Sequence, residues 1–322
     1  MGTVKALCIS DNKGEQKKPV DRCVFRADYG IESDAHAGDW HRQVSLLLDS
    51  DIESIRAKGL DDLSDGDFAE NVILSGVDLN SCGLGSRLRL GEDVVLSISQ
   101  IGKVCHTRCR IFYLAGDCIM PRLGVFARVE VGGRVCPGDR AEAFDIVGRD
   151  RLQAVVLTIS DRCSRNEAKD TAGPAVANIL SESLIANIYR TAILPDEKDT
   201  IAERLKHYCD GHSIDLVLAV GGTGFSPRDV TPEAAREVID RFTPGLGEAM
   251  RTASMAKTPH AMLSRAVSGI AGATLIVTLP GSERAASENL QAILPALGHG
   301  LAKLRGDPAD CGRPQQGNQS DG

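Results

Sequence analysis

The stretch that most constrains the fold is an apolar run followed by a glycine-rich turn and the start of a helix. Residues Leu216–Val220 are all apolar, which is typical of a parallel strand buried on both faces. The segment Gly221–Glu233 follows and reads GGTGFSPRDVTPE. Thr231 suits the N-cap of a helix, and Pro232 suits its first position, where the missing N–H is tolerated. This order predicts an α/β domain with a ligand site after the strand.

The glycine-rich turn itself predicts an anion site. Gly221, Gly222 and Gly224 let the backbone approach a ligand without interference from a Cβ, and N–H groups at such a turn converge on an anion. Asp229 places a carboxylate in the same loop. A carboxylate beside a bound anion is unfavourable unless a cation lies between them. Asp229 is therefore predicted to bind magnesium or to handle a proton. The alternative is an ordinary strand–helix turn.

The rest of the second half alternates strands with helices. Predicted strands are Ala154–Ser160, Ile188–Leu194 and Ala273–Leu279, and predicted helices are Thr171–Ser183, Thr200–Cys209, Pro232–Phe242, Leu246–Ala256 and Ala285–Leu304. The motifs that carry polar side chains follow the ends of strands. In open α/β sheets this is the edge where ligands bind.

Five segments of this half together resemble a known family. They are LTISDRCSR (157–165), DTAGP (170–174), LPDEKD (194–199), GGTGFSPRDVTPE (221–233) and LPGS (279–282). The chain is similar here to the MogA/MoaB-type molybdopterin-binding domain, which is also found in gephyrin-like and Cnx-type proteins. The resemblance implies a three-layer α/β domain with a mostly parallel sheet. It also implies oligomers, commonly trimers.

The resemblance further implies an activity, in which molybdopterin is joined to AMP from ATP with the help of Mg²⁺. It gives catalytic roles to Asp196 and Asp229, with Asp229 as the metal ligand. The residues expected to bind the pterin or phosphates are Thr158, Ser160, Asp161, Gly221, Gly222, Thr223, Gly224, Ser226, Thr231, Glu233, Gly281 and Ser282. Arg228 is either a surface charge or a bidentate phosphate ligand.

Two other functions remain open for this half. Some MoaB-type and gephyrin-like relatives suggest a non-catalytic pterin-binding or scaffold protein, which would have the same pocket. An α/β domain that binds nucleotides for an unrelated purpose is the third possibility.

The first half has a different pattern, with many short strands and few helices. From Gly83 onward apolar and polar residues alternate between glycine turns, which predicts a barrel-like β domain. Val125–Val131 and Arg134–Val135 are predicted to form a hairpin around Gly132 and Gly133.

This half resembles the MOSC domain, the C-terminal domain of molybdenum cofactor sulfurases. The similar segments are DAHAGDWHRQVSLL, GDFAENV, SISQIGKVC and GVFARVEVGGRVCPGD. The resemblance implies that the domain binds molybdenum cofactor or carries sulfur, and sulfur carriage needs a reactive cysteine. The candidates are Cys105, Cys109 and Cys118, with Lys103, Arg108 and Arg110 available to stabilise a thiolate. Zinc binding or burial of these thiols are the alternatives. Asp34 and His36 either face a cofactor or form a buried polar pair.

The two patterns divide the chain into a MOSC domain at residues 1–147, a molybdopterin-binding domain at 152–306 and a disordered tail at 307–322. The net charge of −7 argues against a nucleic-acid partner, and no apolar run is long enough to cross a membrane. Ten cysteines without a signal-peptide pattern predict a cytoplasmic protein with reduced thiols. The expected partners are a pterin, a nucleotide and enzymes that exchange the cofactor.

Overall fold

The computed structural model describes residues 2–60, 62–102, 119–184, 186–210 and 213–308. They form a β-barrel region in the first half and a mixed α/β sheet in the second. The predicted fold class of both halves is confirmed. Cys105, Cys109 and Cys118, and the predicted tail from residue 309 onward, lie outside the described residues.

The barrel is a ring of seven strands in the order β11-β7-β8-β9-β5-β6-β1, which the pairing of β11 with β1 closes. A further strand, β2, pairs with the other end of β1. These strands are β1 (Gly2–Ile9), β2 (Lys18–Val20), β5 (Val44–Leu48), β6 (Val72–Ser75), β7 (Arg87–Leu90), β8 (Val94–Ile101), β9 (Val125–Val131) and β11 (Arg140–Phe144). Closure leaves few free strand edges, because each ring strand has two neighbours.

Alternating side chains fill the barrel interior. Along β8, for example, Val94, Leu96 and Ile98 are buried while the residues between them are less so. One short helix, α1 (Asp49–Arg56), follows β5 and covers the outside of the barrel with Ile52 and Ile55. A second short helix, α2, spans Met120–Leu123.

The predicted hairpin around Gly132 and Gly133 is wrong. A small separate sheet takes up this segment, with β10 (Gly133–Val135) pairing antiparallel with β3 (Cys23–Arg26), which in turn pairs with β4 (Gly30–Ile31). Neither glycine adopts the positive φ that a tight hairpin turn requires. An ideal Cβ on Gly132 would lie 2.6 Å from the Phe25 carbonyl oxygen. Glycine is needed here for close passage of two strands.

The second sheet has the order β13-β12-β14-β17-β16-β15, and β13, β12, β14 and β17 run parallel. Its strands are β12 (Gln153–Ile159), β13 (Asn187–Leu194), β14 (Leu216–Val220), β15 (Arg241–Phe242), β16 (Ser268–Ala271) and β17 (Thr274–Leu279). Every residue of β12, β14 and β17 is buried, because helices cover both faces.

The helices that cover this sheet carry the apolar stripes expected of their positions. They are α3 (Asp161–Ser164), α4 (Ala172–Ser183), α5 (Lys198–Cys209), α6 (Thr231–Val238), α7 (Pro244–Met255) and α8 (Glu283–Leu304), with a 3₁₀ turn at Pro259–Leu263. Helices α4 and α8 pack together on one face of the sheet, and α5 and α6 on the other.

The predicted helix Pro232–Phe242 is too long. Helix α6 ends at Val238, and Ile239 is already extended. Asp240 then donates its N–H to the Ile270 carbonyl, and β15 joins the sheet beside β16. These two antiparallel strands were not predicted.

The two halves are in direct contact. The Asn187 side chain donates to the Leu84 carbonyl over 3.1 Å, and the Ser213 hydroxyl donates to the Ile101 carbonyl over 3.0 Å. None of the helices in the described part of the chain combines the length and apolarity needed to cross a bilayer.

Candidate functional site

Four loops meet at the carboxyl edge of the second sheet. They follow β12, β13, β14 and β17, which are adjacent and parallel, and they contain Asp161, Asp196, the glycine turn and Gly281. An ideal Cβ on Gly281 would lie 3.2 Å from the Gly221 Cα, so the last two loops touch. Most of the polar residues expected to bind the pterin or phosphates are thus brought to one edge.

Two of these loops are tied together by their aspartates. The Asp161 N–H donates to the Asp196 carboxylate over 2.8 Å, and the Asp196 N–H donates to the Asp161 carboxylate over 3.1 Å. The pKa of Asp161 is lowered by the hydrogen bond with Asp196 and by Arg228. Burial raises the pKa of Asp196, and the charges of Asp161 and Asp229 raise it further against an opposing hydrogen bond from Asp161. Asp161 and Asp229 therefore both lie close enough to repel the Asp196 carboxylate.

The glycine turn holds its shape through two positive φ angles, +119° at Gly221 and +61° at Gly222. Side chains cannot be added there, because an ideal Cβ would lie 2.2 Å from the Ile159 carbonyl oxygen at Gly221 and 2.4 Å from the Thr231 hydroxyl at Gly222. In the described structure the N–H groups of Gly222, Thr223 and Gly224 donate no hydrogen bond within the chain. These groups are available to an anion.

Asp229 folds back over its own loop. Its carboxylate accepts the Ser226 N–H over 2.8 Å, and an ideal Cβ on Gly224 would lie 2.9 Å from its Oδ2. The carboxylate therefore lies against the glycine turn, beside the predicted anion site.

Arg228 forms ion pairs rather than remaining an isolated surface charge. Its Nε and one terminal nitrogen each donate to the Asp161 carboxylate over 3.0 Å, and the same terminal nitrogen donates to Glu197 over 2.9 Å. The guanidinium is therefore held by carboxylates and joins the loops after β12, β13 and β14.

Arg265 is a residue that reasoning from the sequence missed. Its Nε donates to the Gly224 carbonyl over 2.7 Å, one terminal nitrogen donates to Glu233 over 2.5 Å, and the other donates to the Asp229 carbonyl. The backbone N–H of Arg265 also donates to the Thr223 carbonyl. Arg265 lies in KTPHAMLSRA, an irregular segment without a recognisable motif. Only the fold brings it against the glycine turn.

The remaining predicted residues either cap a helix, bond to another side chain, or keep a polar atom without a partner in the described structure. Ser160 and Ser282 cap α3 and α8 by accepting N–H groups, and the Thr158 hydroxyl donates to Asp170 over 2.7 Å. Thr231 is the first residue of α6 and not its N-cap. Its buried hydroxyl, which points towards Gly222, has no partner among the described residues, and the same is true of the Glu233 Oε2.

The residues at this edge fit a magnesium ion that is held partly by a substrate. In the described ranges no three His, Cys, Asp or Glu side chains form a ready-made metal cage. Mg²⁺ usually keeps several waters and binds one or two carboxylates together with substrate phosphates. Asp196 and Asp229 are such carboxylates, and their mutual repulsion favours a cation.

The first half contains a buried polar cluster in the region of the MOSC-like motifs. Lys17 and Asp34 are both buried, with Nζ and Oδ2 separated by 2.5 Å. Burial opposes the ionisation of Asp34, but hydrogen bonds from His36 and Lys17 outweigh it and hold the pKa below its usual range. The Asp34 side chain is thus enclosed by protein, whereas His36 is partly exposed.

Comparison with known proteins identifies both halves. Residues 155–299 match the family of the probable molybdopterin-binding domain, and residues 33–142 match the MOSC domain. A protein named molybdopterin adenylyltransferase, from Helicobacter pylori strain J99, is 41% identical over 143 residues, which are 44% of this chain and 81% of that protein. The chain belongs to the molybdopterin-binding domain family. The resemblances of both halves are confirmed.

Other members of this molybdopterin-binding family are longer or shorter than the chain. The molybdenum cofactor synthesis protein cinnamon of Drosophila melanogaster is 42% identical over 47% of this chain and 25% of its own length. Gephyrin of Dictyostelium discoideum is 40% identical over 48% of this chain and 22% of its own length. The chain thus spans about a quarter of these two relatives. The solved structure of MoaB from Thermus thermophilus matches this chain with a TM-score of 0.47 and 43% identity. The match covers 49% of this chain and 99% of the MoaB chain.

Proposed function

We propose that the second half binds molybdopterin and adenylylates it with ATP and Mg²⁺. The observation that carries the proposal is the meeting of free backbone N–H groups at Gly222–Gly224 with the carboxylates of Asp196 and Asp229. A phosphate and a cation are the two ligands that such a mixed site needs. The names of the relatives that are adenylyltransferases support the same conclusion.

The reaction requires a phosphate oxygen of the pterin to attack the α-phosphorus of ATP, with pyrophosphate as the leaving group. The N–H groups of the glycine turn would hold phosphate oxygens, and the Thr231 hydroxyl and Glu233 would orient polar groups of the substrate. Asp161 positions Asp196, and Ser226 positions Asp229. When bound, Mg²⁺ would neutralise charge on the phosphate oxygens, and Asp196 and Asp229 would hold it.

Mass spectrometry after incubation with molybdopterin, ATP and Mg²⁺ tests ligand and reaction together. The expected product is adenylylated pterin together with pyrophosphate. A folded protein that has bound pterin and yields no adenylylated product rejects the proposed reaction.

A second candidate function is pterin binding without turnover. The pairing of Arg228 with Asp161 and Glu197 favours it, because this guanidinium is already engaged and less available to a phosphate. Pterin binding that is unchanged by Asp229→Asn and shows no ATP-dependent product would establish this function. If pterin does not bind at all, an unrelated nucleotide-binding role remains.

For the first half, residues 1–147, we propose binding of molybdenum cofactor or transfer of sulfur to it. The MOSC match supports this assignment. Fusion to residues 152–306 raises the local concentration of a shared intermediate to roughly the millimolar range. The protein is proposed to act in the cytoplasm, as a trimer, in exchange with cofactor-using enzymes. Light scattering at micromolar concentration tests the trimer.

A further inference from the structure

A cleft of about 520 Å³ lies between the two halves. One wall belongs to the barrel and includes His41 and Arg128. The other wall belongs to β13 and α5 and includes Arg190, Arg204 and His207. The volume falls within the range of small-molecule sites, about 300–1,000 Å³. A site here would exist only when the two halves are together.

The acidic residues of the cleft are matched to arginines of the barrel wall. Arg87 lies 3.0 Å from Glu130 and 3.2 Å from Asp145, and Arg128 lies 2.9 Å from Asp28. Three carboxylates thus face two arginines on that wall, and the cleft as a whole holds four arginines against three carboxylates.

The opposite wall carries positive charge without such a match. Arg190 and Arg204 both line the cleft, and within the described ranges neither forms an ion pair or donates a side-chain hydrogen bond to a carboxylate. Two guanidinium groups at one cleft are unfavourable together unless water or an anion screens them.

Two histidines lie at the boundary between the two halves, beside these arginines. The rings of His41 and His207 meet edge to face across the boundary, with centroids 5.5 Å apart. Burial lowers the pKa of both, to about 4 for His41. Arg204, Arg128 and Arg190 lower the pKa of His207 further, with Asp210 opposing them. The lowered pKa of each histidine favours its neutral form.

We propose that this cleft binds the phosphate group of a small molecule through the guanidinium groups of Arg190 and Arg204. Planar guanidinium donors match the geometry of phosphate oxygens. The ring of Tyr189, which is half-buried, lines the same cleft and offers surface for the rest of the ligand.

The site is separate from the glycine turn and does not rest on the proposed reaction. Arg204 and His207 lie in the second half of α5, whereas Asp196 precedes the first turn of that helix. The chain would hold one phosphate-bearing ligand at the edge of the second sheet and another between its halves.

The single tryptophan of the chain provides a direct readout. The Trp40 ring lies 5.9 Å from the His41 ring, so its emission should change when the cleft fills. Inorganic pyrophosphate is the first probe, titrated into the full chain without magnesium and followed by Trp40 fluorescence and calorimetry. Saturable binding is expected. No binding at millimolar pyrophosphate overturns the proposal.

Substitutions then test whether pyrophosphate binds in the cleft. Arg190→Gln and Arg204→Gln should each weaken pyrophosphate binding about tenfold, and the double variant more, since each removes a charged fork. Arg241→Gln is the matched control, because Arg241 is exposed in β15 at the opposite edge of the sheet. Equal loss in the control, no loss in the double variant, or loss only with Asp229→Asn each contradicts a cleft site.

Two further probes separate the sources of the phosphate. AMP that binds tighter than inorganic phosphate identifies a phosphate ester, with Tyr189 contacting its organic part. Inorganic phosphate that binds tighter identifies the free ion. In either case the loss of affinity in the Arg190→Gln, Arg204→Gln double variant supports the site.

Discussion

Asp161 and Asp196 each accept the backbone N–H of the other, across the ends of two neighbouring strands. The pair fixes the spacing of the loops after β12 and β13 without using a long side chain. The Asp196 Oδ1 also lies near Gly222 in the glycine turn, whereas both Asp161 oxygens accept hydrogen bonds from Arg228. The loops are thus positioned before any ligand arrives, which lowers the cost of ordering a substrate.

Removing the negative charge at Asp196 or Asp229 should reduce adenylylation by about a hundredfold or more. The reason is that a metal or transition-state contact is worth several kcal/mol. Asp196→Asn and Asp229→Asn are better tests than alanine, because an amide oxygen still accepts the N–H of Asp161 or Ser226. Initial rates and melting temperatures should be measured together. Near-wild-type rates in both variants contradict the assigned roles.

Replacing Arg265 should loosen the glycine turn. Arg265→Lys cannot reproduce three donors aimed at Gly224, Asp229 and Glu233. We expect kcat/KM for adenylylation to fall about tenfold or more. Arg236→Gln is the control, since Arg236 lies 3.6 Å from the same Glu233 Oε1 that Arg265 binds. A similar loss in both variants would show that Glu233 alone matters.

The sulfur-transfer proposal predicts that Cys105, Cys109 or Cys118 reacts fastest with iodoacetamide. The chain provides its own controls, because burial raises the pKa of Cys8, Cys23 and Cys209 to about 12. Cys136 and Cys163 are partly exposed and control for simple access. Rates should be read by peptide mapping near neutral pH. If the three candidates react no faster than these five, the first half is a binding module.

Glu70 should make the first half less stable as pH rises. The side chain is buried, its Oε1 accepts the Gly66 N–H over 2.7 Å, and its Oε2 has no partner in the described structure. Burial raises the pKa to about 7 from 4.5. The pKa of Glu70 is higher in the folded protein than in the unfolded one. The contribution of Glu70 to stability is therefore complete below about pH 4.5 and is lost as the pH rises from 4.5 through about 7.

Glu70→Gln tests this directly, because glutamine resembles the neutral acid. The variant should match the wild type in melting temperature at pH 5 and exceed it at pH 8. An unchanged difference between the two proteins across this range would show that Glu70 is ionised in the fold.

The meeting of the loops at the sheet edge could be predicted, because strand ends in a parallel sheet share one edge. Leu216–Val220 and the glycine turn were enough to predict an anion site at that edge. The contacts of Arg265 were not predictable, since they join residues 41 and 36 positions apart through an irregular segment. The unpartnered hydroxyl of Thr231 in the described structure was also missed, because sequence alone favours its use as a cap.

The wrong hairpin in the first half and the overlong helix in the second both arose from local rules applied to non-local pairing. Gly132 and Gly133 have the composition of a hairpin turn, but β10 pairs with β3, more than a hundred residues earlier. In the second half, Arg241 and Phe242 fitted the pattern of the preceding helix, yet β16 offered them a sheet edge. In both cases tertiary contacts outweighed local preference.

The closure of the barrel has a consequence for synthesis on the ribosome. Leu7–Ile9 in β1 pairs with β2 soon after both emerge, but Gly2 and Thr3 must wait for Ala141 and Arg140. Until nearly the whole first half has been translated, one end of β1 presents unpaired backbone groups to other nascent chains. Slow elongation through β7, β8 and β9 would prolong that exposure.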